Sequence, residues 1–409
     1  MTGPVSFRAI EASEAAAFRR AFGAVFAFDP SDESVEAFTD WAELDRTIAG
    51  FDGDVLVTTA GTLSLRLVVP GGAAIAAGGL SMVSVAPTHR RQGLLRQIMN
   101  LHFDDAVARS EVVSILYASE VPIYGRFGYG LAIDRLDFSI DIGRATLRAD
   151  VAAPSGSYRL VSPDEARRLV PPLYEQSVAT TAGAALRREA DWSRYFYDPE
   201  AWRDGATSYR HLIYERDGAI VGAAKYRQKS AWNYEGPDHT TVVNEIVARD
   251  GEAYAAVWRF LLSLDLTTRL EAERRPVDDP LTEILADTRR LKRTTTDSIW
   301  LRILDVPAAL SARRYRMPIS MVLDIEDEFR PGAGGRFRLE GGPDGAQCAL
   351  TDDEPDVRLS TQALSSAYLG APRLATLAWL DRIHGEPDAI RLLDDAFTTA
   401  RHPYCQLPF

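Results

Sequence analysis

The sequence predicts a mixed α/β protein made of three successive units. Three observations carry this. Strand and helix patterns alternate up to about residue 150. A second alternation follows the break at Ala152-Ala153-Pro154-Ser155-Gly156. A hairpin followed by two helices then occupies the last part of the chain. Alternation of this kind implies sheets layered with helices. At about 100–200 residues per domain, 409 residues accommodate three units. Their expected limits are 1–150, 151–295 and 296–409.

In the first unit, Val55-Leu56-Val57 and Leu63 to Val69 flank a Gly-containing connection and read as paired strands. Gly71 to Leu80 is a loop running into a strand, and Met82 to Val85 is a strand closed by Ala86-Pro87. From Leu94 to Val107, the apolar residues Leu94, Leu95, Ile98, Met99, Phe103, Ala106 and Val107 recur at three- and four-residue spacing, which predicts a helix. Val112 to Tyr117 is an almost unbroken apolar run, as suits a buried interior strand. Strand, helix and strand in this order imply a crossover between adjacent parallel strands.

The second unit has a helical Pro163 to Gln176, strands at His211 to Tyr214 and Ile220 to Arg227 around an Asp217-Gly218 turn, and a helix from Ala253 to Leu264. It lacks a phosphate-cradling loop. In the third unit, which opens around Trp300 to Leu304, Phe337 and Leu339 alternate into a Gly341-Gly342-Pro343-Asp344-Gly345 turn. A strand from Ala346 and helices at Thr361 to Tyr368 and Arg373 to His384 follow.

Composition narrows the function. Hydrophobic residues make up 46% and charged residues 25%, which excludes disordered and collagen-like classes. The net charge of −12 and the lack of a basic stripe argue against a nucleic-acid partner, because such binding rests on neutralising phosphates. The acidic balance tolerates a cationic small molecule. No window nears the roughly 18–20 apolar residues of a membrane span, and the opening residues lack the signature of a signal peptide. Cys348 and Cys405 alone make neither a disulfide framework nor a metal site. A cytoplasmic protein without a metal is expected.

Chemistry concentrates in Val83-Ser84-Val85-Ala86-Pro87-Thr88-His89-Arg90-Arg91-Gln92-Gly93-Leu94-Leu95. A strand ends, a short basic loop follows, and a helix begins. Backbone N–H groups at a helix N-terminus bind phosphate, Gly93 permits close approach, and Arg90 and Arg91 add charge. No Gly-Lys-Ser/Thr follows, so this is not a Walker loop.

The pattern Val-x-Val-x-Pro-x-x-Arg-Arg-x-Gly-Leu-Leu resembles the acetyl-CoA motif of the GCN5-related N-acetyltransferases (GNAT). Tyr117-Ala118-Ser119-Glu120-Val121-Pro122-Ile123-Tyr124-Gly125-Arg126-Phe127-Gly128-Tyr129-Gly130 is similar to the family's following strand and Gly-aromatic element. Both blocks resemble the Eis (enhanced intracellular survival) branch, which acetylates amines of aminoglycosides and other substrates. The resemblance implies two tandem GNAT-like mixed-sheet domains, the second lacking the CoA loop, and a sterol-carrier-like α+β domain. It further implies a homohexamer.

On that resemblance, acetyl-CoA is held by Val83, Ser84 and Val85, by Arg90, Arg91, Gln92, Gly93, Leu94, Leu95 and Arg96, and by Ser119 and Glu120. Tyr124 is the expected general acid for the leaving thiolate, because a phenol with a pKa of about 10 is protonated at neutral pH. Tyr117 and Tyr129 are its rivals. The terminal carboxylate of Phe409 is the implied base, with His402 as a rival. At about 3.5 its ordinary pKa makes it a poor base unless burial raises it or it acts through water and electrostatics. Phe26, Phe28 and Asp29, with Met82, are acceptor-side candidates, since aromatics beside carboxylates suit an amine-rich cation. An acid-rich helix start after Pro30 explains part of the same segment equally well, and Pro408 stands where some relatives carry an acid. The expected activity is direct acetyl transfer to primary amines of aminoglycoside, polyamine or lysine type. A lipid-binding protein and a degenerate sensor or scaffold are the competing readings.

Overall fold

Strands Ala74–Val85 and Val113–Tyr117 lie side by side and parallel, joined by helix Leu94–Ala108. This is the crossover that the apolar spacing predicts. It is seen in a computed structural model that describes residues 5–371 and 373–409. Pairing runs from Ala77↔Val113 to Leu80↔Leu116 and then stops, although the first strand continues to Val85.

The split has a local cause on the other side of Ala74–Val85. Its antiparallel neighbour Val55–Val68 pairs Gly61 with Ser81 but Thr59 with Ser84, so Ala74–Val85 carries an extra residue there. Such a bulge bends and twists the strand that holds it. Met82 sits in it with φ +53°, in left-handed space that a residue with a Cβ rarely adopts. Thr59 Oγ1 donates to the Met82 carbonyl at 2.8 Å, which secures the distortion. A Cβ on Gly61 would stand 2.7 Å from Met82 Cε, so glycine makes room for that side chain.

The paired strands expected at residues 55–57 and 63–69 are therefore a single strand, Val55–Val68, with Gly61 inside it. Here the glycine marks a bulge in the partner strand and not a turn.

Among the described residues, twelve further strands join Ala74–Val85 in one sheet. Leu291–Ile303 enters between Val113–Tyr117 and Gly130–Asp141, antiparallel to both. Gly130–Asp141 then pairs with Thr267–Arg275 of the second unit. The two halves thus share a continuous sheet, and the boundary expected at 295/296 falls inside Leu291–Ile303. A second, five-stranded sheet contains Ile319–Glu326 at its centre, flanked by Gly335–Gly342 and Val357–Ser360. The helix expected over Arg373 to His384 is shorter, Leu374–Trp379. Asp381 at φ +57° interrupts it, and a strand follows at Ile383–Gly385. No helix among the described residues is long and apolar enough to cross a membrane.

Apolar packing fixes the segment after Tyr117. Tyr124, Phe127 and Tyr129 join Leu80, Ile98, Met99, Phe103 and Leu116 in one cluster. Fully buried Arg302 donates to the Phe127 carbonyl at 2.6 Å and to Asp327 of the third unit at 2.6 Å. It thereby ties the Gly-aromatic element to that unit. Asp327→Asn leaves the buried guanidinium without a counter-charge, and about 3–5 kcal/mol of stability should be lost. Chemical denaturation measures this, and an unchanged midpoint would refute it.

Candidate active site

The split opens into a cleft of about 690 Å³. Val83, Ser84 and Val85 line one wall, and Ser119, Glu120 and Tyr124 line another. Arg90, Arg91, Gly93, Leu94, Leu95 and Arg96 close its end. Of the residues expected to hold the cofactor, Gln92 alone is not in the lining; it is exposed in the same loop.

The loop has the backbone a phosphate grip needs. Pro87–His89 form a single 3-10 turn, Arg91 has φ +63°, and Gly93 has φ +79° as the residue capping helix Leu94–Ala108. No side chain caps that helix N-terminus, and its first turn holds no acidic residue. Its free N–H groups and the positive end of the dipole therefore face an uncontested site. Arg90 and Arg91 are exposed. His89, which the sequence did not single out, also lines the cleft, and its Nε2 lies 3.2 Å from Asp52.

Tyr124 is 5% exposed and lines the cleft. Burial, with the nearby Glu120 charge adding to it, pushes its hydroxyl up to about 12. Its rivals have other partners. Tyr117 donates to the Leu407 carbonyl at 2.8 Å. Tyr129 shares a hydrogen bond of 2.6 Å with Ser114, which in turn meets His102 at 2.6 Å. His402 borders a separate cavity with Asp134 and Arg373.

The tail ends beside the split. Tyr404 donates to the Arg274 carbonyl at 2.6 Å, and Arg194 Nη1 donates to the Pro408 carbonyl at 2.9 Å. The Phe409 ring lies 5.0 Å from that of Tyr117. A Cβ on Gly79 would meet Phe409 at 3.2 Å, whereas one on Gly78 would meet Glu111 and His102 of the helix side. Successive strand residues face opposite ways. Phe409 therefore approaches from the face opposite helix Leu94–Ala108 and is not part of the cleft lining.

The four acceptor-side candidates separate. Phe26 lines the cleft together with Val25, which the sequence reading overlooked. Phe28 packs against Phe22, 5.6 Å between ring centres, and Asp29 is exposed. Neither lines the cleft. Met82 is buried with Phe18 and Phe38. The acidic residues after Pro30 begin helix Asp32–Trp41, capped by Ser31, so the helix-start reading accounts for them.

Comparison with known proteins agrees with this geometry. Models described as an acetyltransferase (GNAT) domain match residues 6–132 and 183–303, and one described as a sterol carrier protein domain matches 306–406. The chain is 39% identical to an uncharacterized N-acetyltransferase of Streptomyces avermitilis over 94% of each chain. It is 37% identical to N-acetyltransferase Eis of Mycobacterium tuberculosis over 88% of this chain and 87% of that one. The structure superposes on Eis1 of Mycobacterium abscessus with a TM-score of 0.84 at 27% identity, covering 99% of this chain and 100% of the other. Two mixed-sheet halves, the split with its basic loop, and a sterol-carrier-like third unit place this chain in the Eis branch of the GCN5-related N-acetyltransferases, as an acetyltransferase.

Proposed function

We propose that this enzyme transfers acetyl from acetyl-CoA directly to a primary amine, with Tyr124 and the Phe409 carboxylate as its proton-handling groups. The observation that carries this is the split itself. It has a basic, phosphate-suited cleft on one side and the docked tail on the other, so donor and acceptor can enter from opposite faces. Pantetheine would lie along the unpaired edge of Val83–Val85, and a main-chain N–H there would stabilise the tetrahedral oxyanion. Cys405 is buried and Cys348 half-buried, and neither lines the cleft, which supports transfer without an acyl-enzyme.

Arg194 holds the Pro408 carbonyl and so seats the residue that bears the terminal carboxylate. The carboxylate would then attract and orient the acceptor nitrogen and relay its proton through water. A cytoplasmic homohexamer goes with this reading by the family resemblance.

Mass spectrometry of products from acetyl-CoA with polyamines, aminoglycosides and peptide lysines tests the activity. Stabilisation by lipids and not by acetyl-CoA would favour the lipid-carrier reading instead. Arg91→Gln should weaken acetyl-CoA binding roughly tenfold, by loss of a charged contact to phosphate. The deficit should shrink as salt rises. Calorimetry at two ionic strengths checks this, and unchanged affinity would remove Arg91 from the grip.

A further inference from the structure

Three arginines gather where the tail reaches the split, and among the described residues none of them forms an ion pair. Arg194, on helix Glu189–Phe196, stands 4.9 Å over the Trp41 ring while it holds the Pro408 carbonyl. Arg19, on helix Ala15–Phe26, is 9% exposed, and its guanidinium lies 5.3 and 5.4 Å from the ring centres of Phe28 and Phe38. Among the described residues its Nε has no hydrogen-bond partner. Phe38 packs 5.2 Å from Trp41, so Arg19 and Arg194 flank one aromatic wall. Arg274, whose carbonyl accepts from Tyr404, stands near enough for its charge to bear on Arg194.

Nearby acids are engaged elsewhere. Asp191 accepts three hydrogen bonds from Arg188, at 2.8, 3.0 and 3.0 Å. Glu245 pairs with Arg187 at 2.8 Å, and Glu43 with Arg188. Asp137 receives the Arg274 backbone N–H and faces Arg135. Burial lowers the proton affinity of Arg194; Asp191 counters this, while Arg274 and Arg19 add to it. Arg19 is pushed in the same direction by burial alone.

A buried cation without a partner is costly, and an arriving anion relieves that cost. The Phe409 carboxylate supplies one negative charge against three positive ones. We propose that the acceptor carries an anionic group, a carboxylate or a phosphate, which seats on Arg19 and Arg194 while its amine meets the thioester. A guanidinium offers five N–H donors, so Arg194 can hold the tail and still bind an oxyanion. A polycation would meet repulsion at the same place. This inference rests on the acetyl-transfer reading and narrows its acceptor.

A matched series tests it: 6-aminohexanoate, 6-aminohexyl phosphate, 6-aminohexanamide and 1,6-diaminohexane with acetyl-CoA, followed by CoA release and product mass. The better of the two anionic acceptors should exceed the diamine in kcat/KM by about tenfold or more, and the two anionic arms identify the preferred group. Arg19→Gln should collapse that ratio and Arg19→Lys should restore part of it. A ratio near one, or a preference for the diamine, overturns the inference and leaves acetyl transfer standing. An anionic preference that Arg19→Gln leaves intact overturns the assignment to Arg19. If no compound is acetylated, calorimetric affinities for the CoA-loaded protein are judged by the same ratio. Failure of CoA itself to bind is the separate result that defeats the acetyl-transfer reading.

Discussion

Tyr124→Phe is expected to lower kcat by about 10²–10⁴-fold, the usual range for a positioned proton donor. The affinity for acetyl-CoA should stay within about twofold, because the ring and its packing remain. Tyr124 is buried against Phe127, Tyr129 and Leu80, and losing one oxygen leaves that cluster intact. Its hydroxyl, pushed up to about 12, is protonated throughout the neutral range. A thiol ionises near 8.5, so outright proton transfer from such a phenol to a thiolate runs uphill. On the proposed mechanism, Tyr124 would therefore act chiefly by donating a hydrogen bond to sulfur as charge develops on it.

The sign of the pH dependence follows. In that role the protonated phenol would be the active form, lost only as pH rises toward 12. Below that, activity should climb as the acceptor amine loses its proton. A kcat profile with no falling limb between about pH 7 and 10 is expected. Equal losses in kcat and cofactor affinity, or a falling limb at pH 8–9 that Tyr124→Phe abolishes, would show the role to be misassigned.

What the sequence made legible here was local. A phosphate loop needs a strand end, a flexible residue and a helix start within about ten residues, and Val83 to Leu95 carry all three in one window. Tyr124 follows from a second such window. The acceptor side has no comparable window. Arg19, Trp41, Arg194, Arg274 and Phe409 come from five separate stretches, and only the shared sheet and the tail's path bring them together. Arg194 stands 214 positions from the carbonyl it holds. No spacing rule reaches that far.

The strand Leu291–Ile303 was hidden in the same way. Its polar first half, Lys292 to Asp297, resembles a linker, yet it pairs along Gly130–Asp141. Pairing with a distant strand, not its own pattern, makes it a strand. The bulge at Met82 escaped notice because nothing in that residue's chemistry announces a left-handed backbone.

Extending the chain beyond Phe409 by two residues, Gly-Ser, should reduce kcat by at least about 10²-fold without lowering the melting temperature. The tail does not depend on its last atoms for anchorage. Tyr404, Leu407 and Pro408 are each held through hydrogen bonds to the body of the protein, and Cys405 and Leu407 are buried in its largest core cluster. Stability should therefore survive the extension, while the carboxylate is carried away from the Phe409 ring, which remains on Tyr117 and Gly79.

Steric obstruction by the added residues would give the same loss, so a second variant separates the two. A semisynthetic chain ending in the Phe409 amide keeps the shape and removes only the charge. Lost turnover in both, with acetyl-CoA affinity preserved, assigns the effect to the carboxylate. An active amide with an inactive extension would assign it to access, and full activity in the extended chain would remove the terminus from the mechanism. Arg194→Gln adds a diagnostic step. If Arg194 seats the terminus through Pro408, that variant should lower kcat while the melting temperature and the acetyl-CoA affinity are kept, and unchanged kcat would remove Arg194 from the placement of the carboxylate.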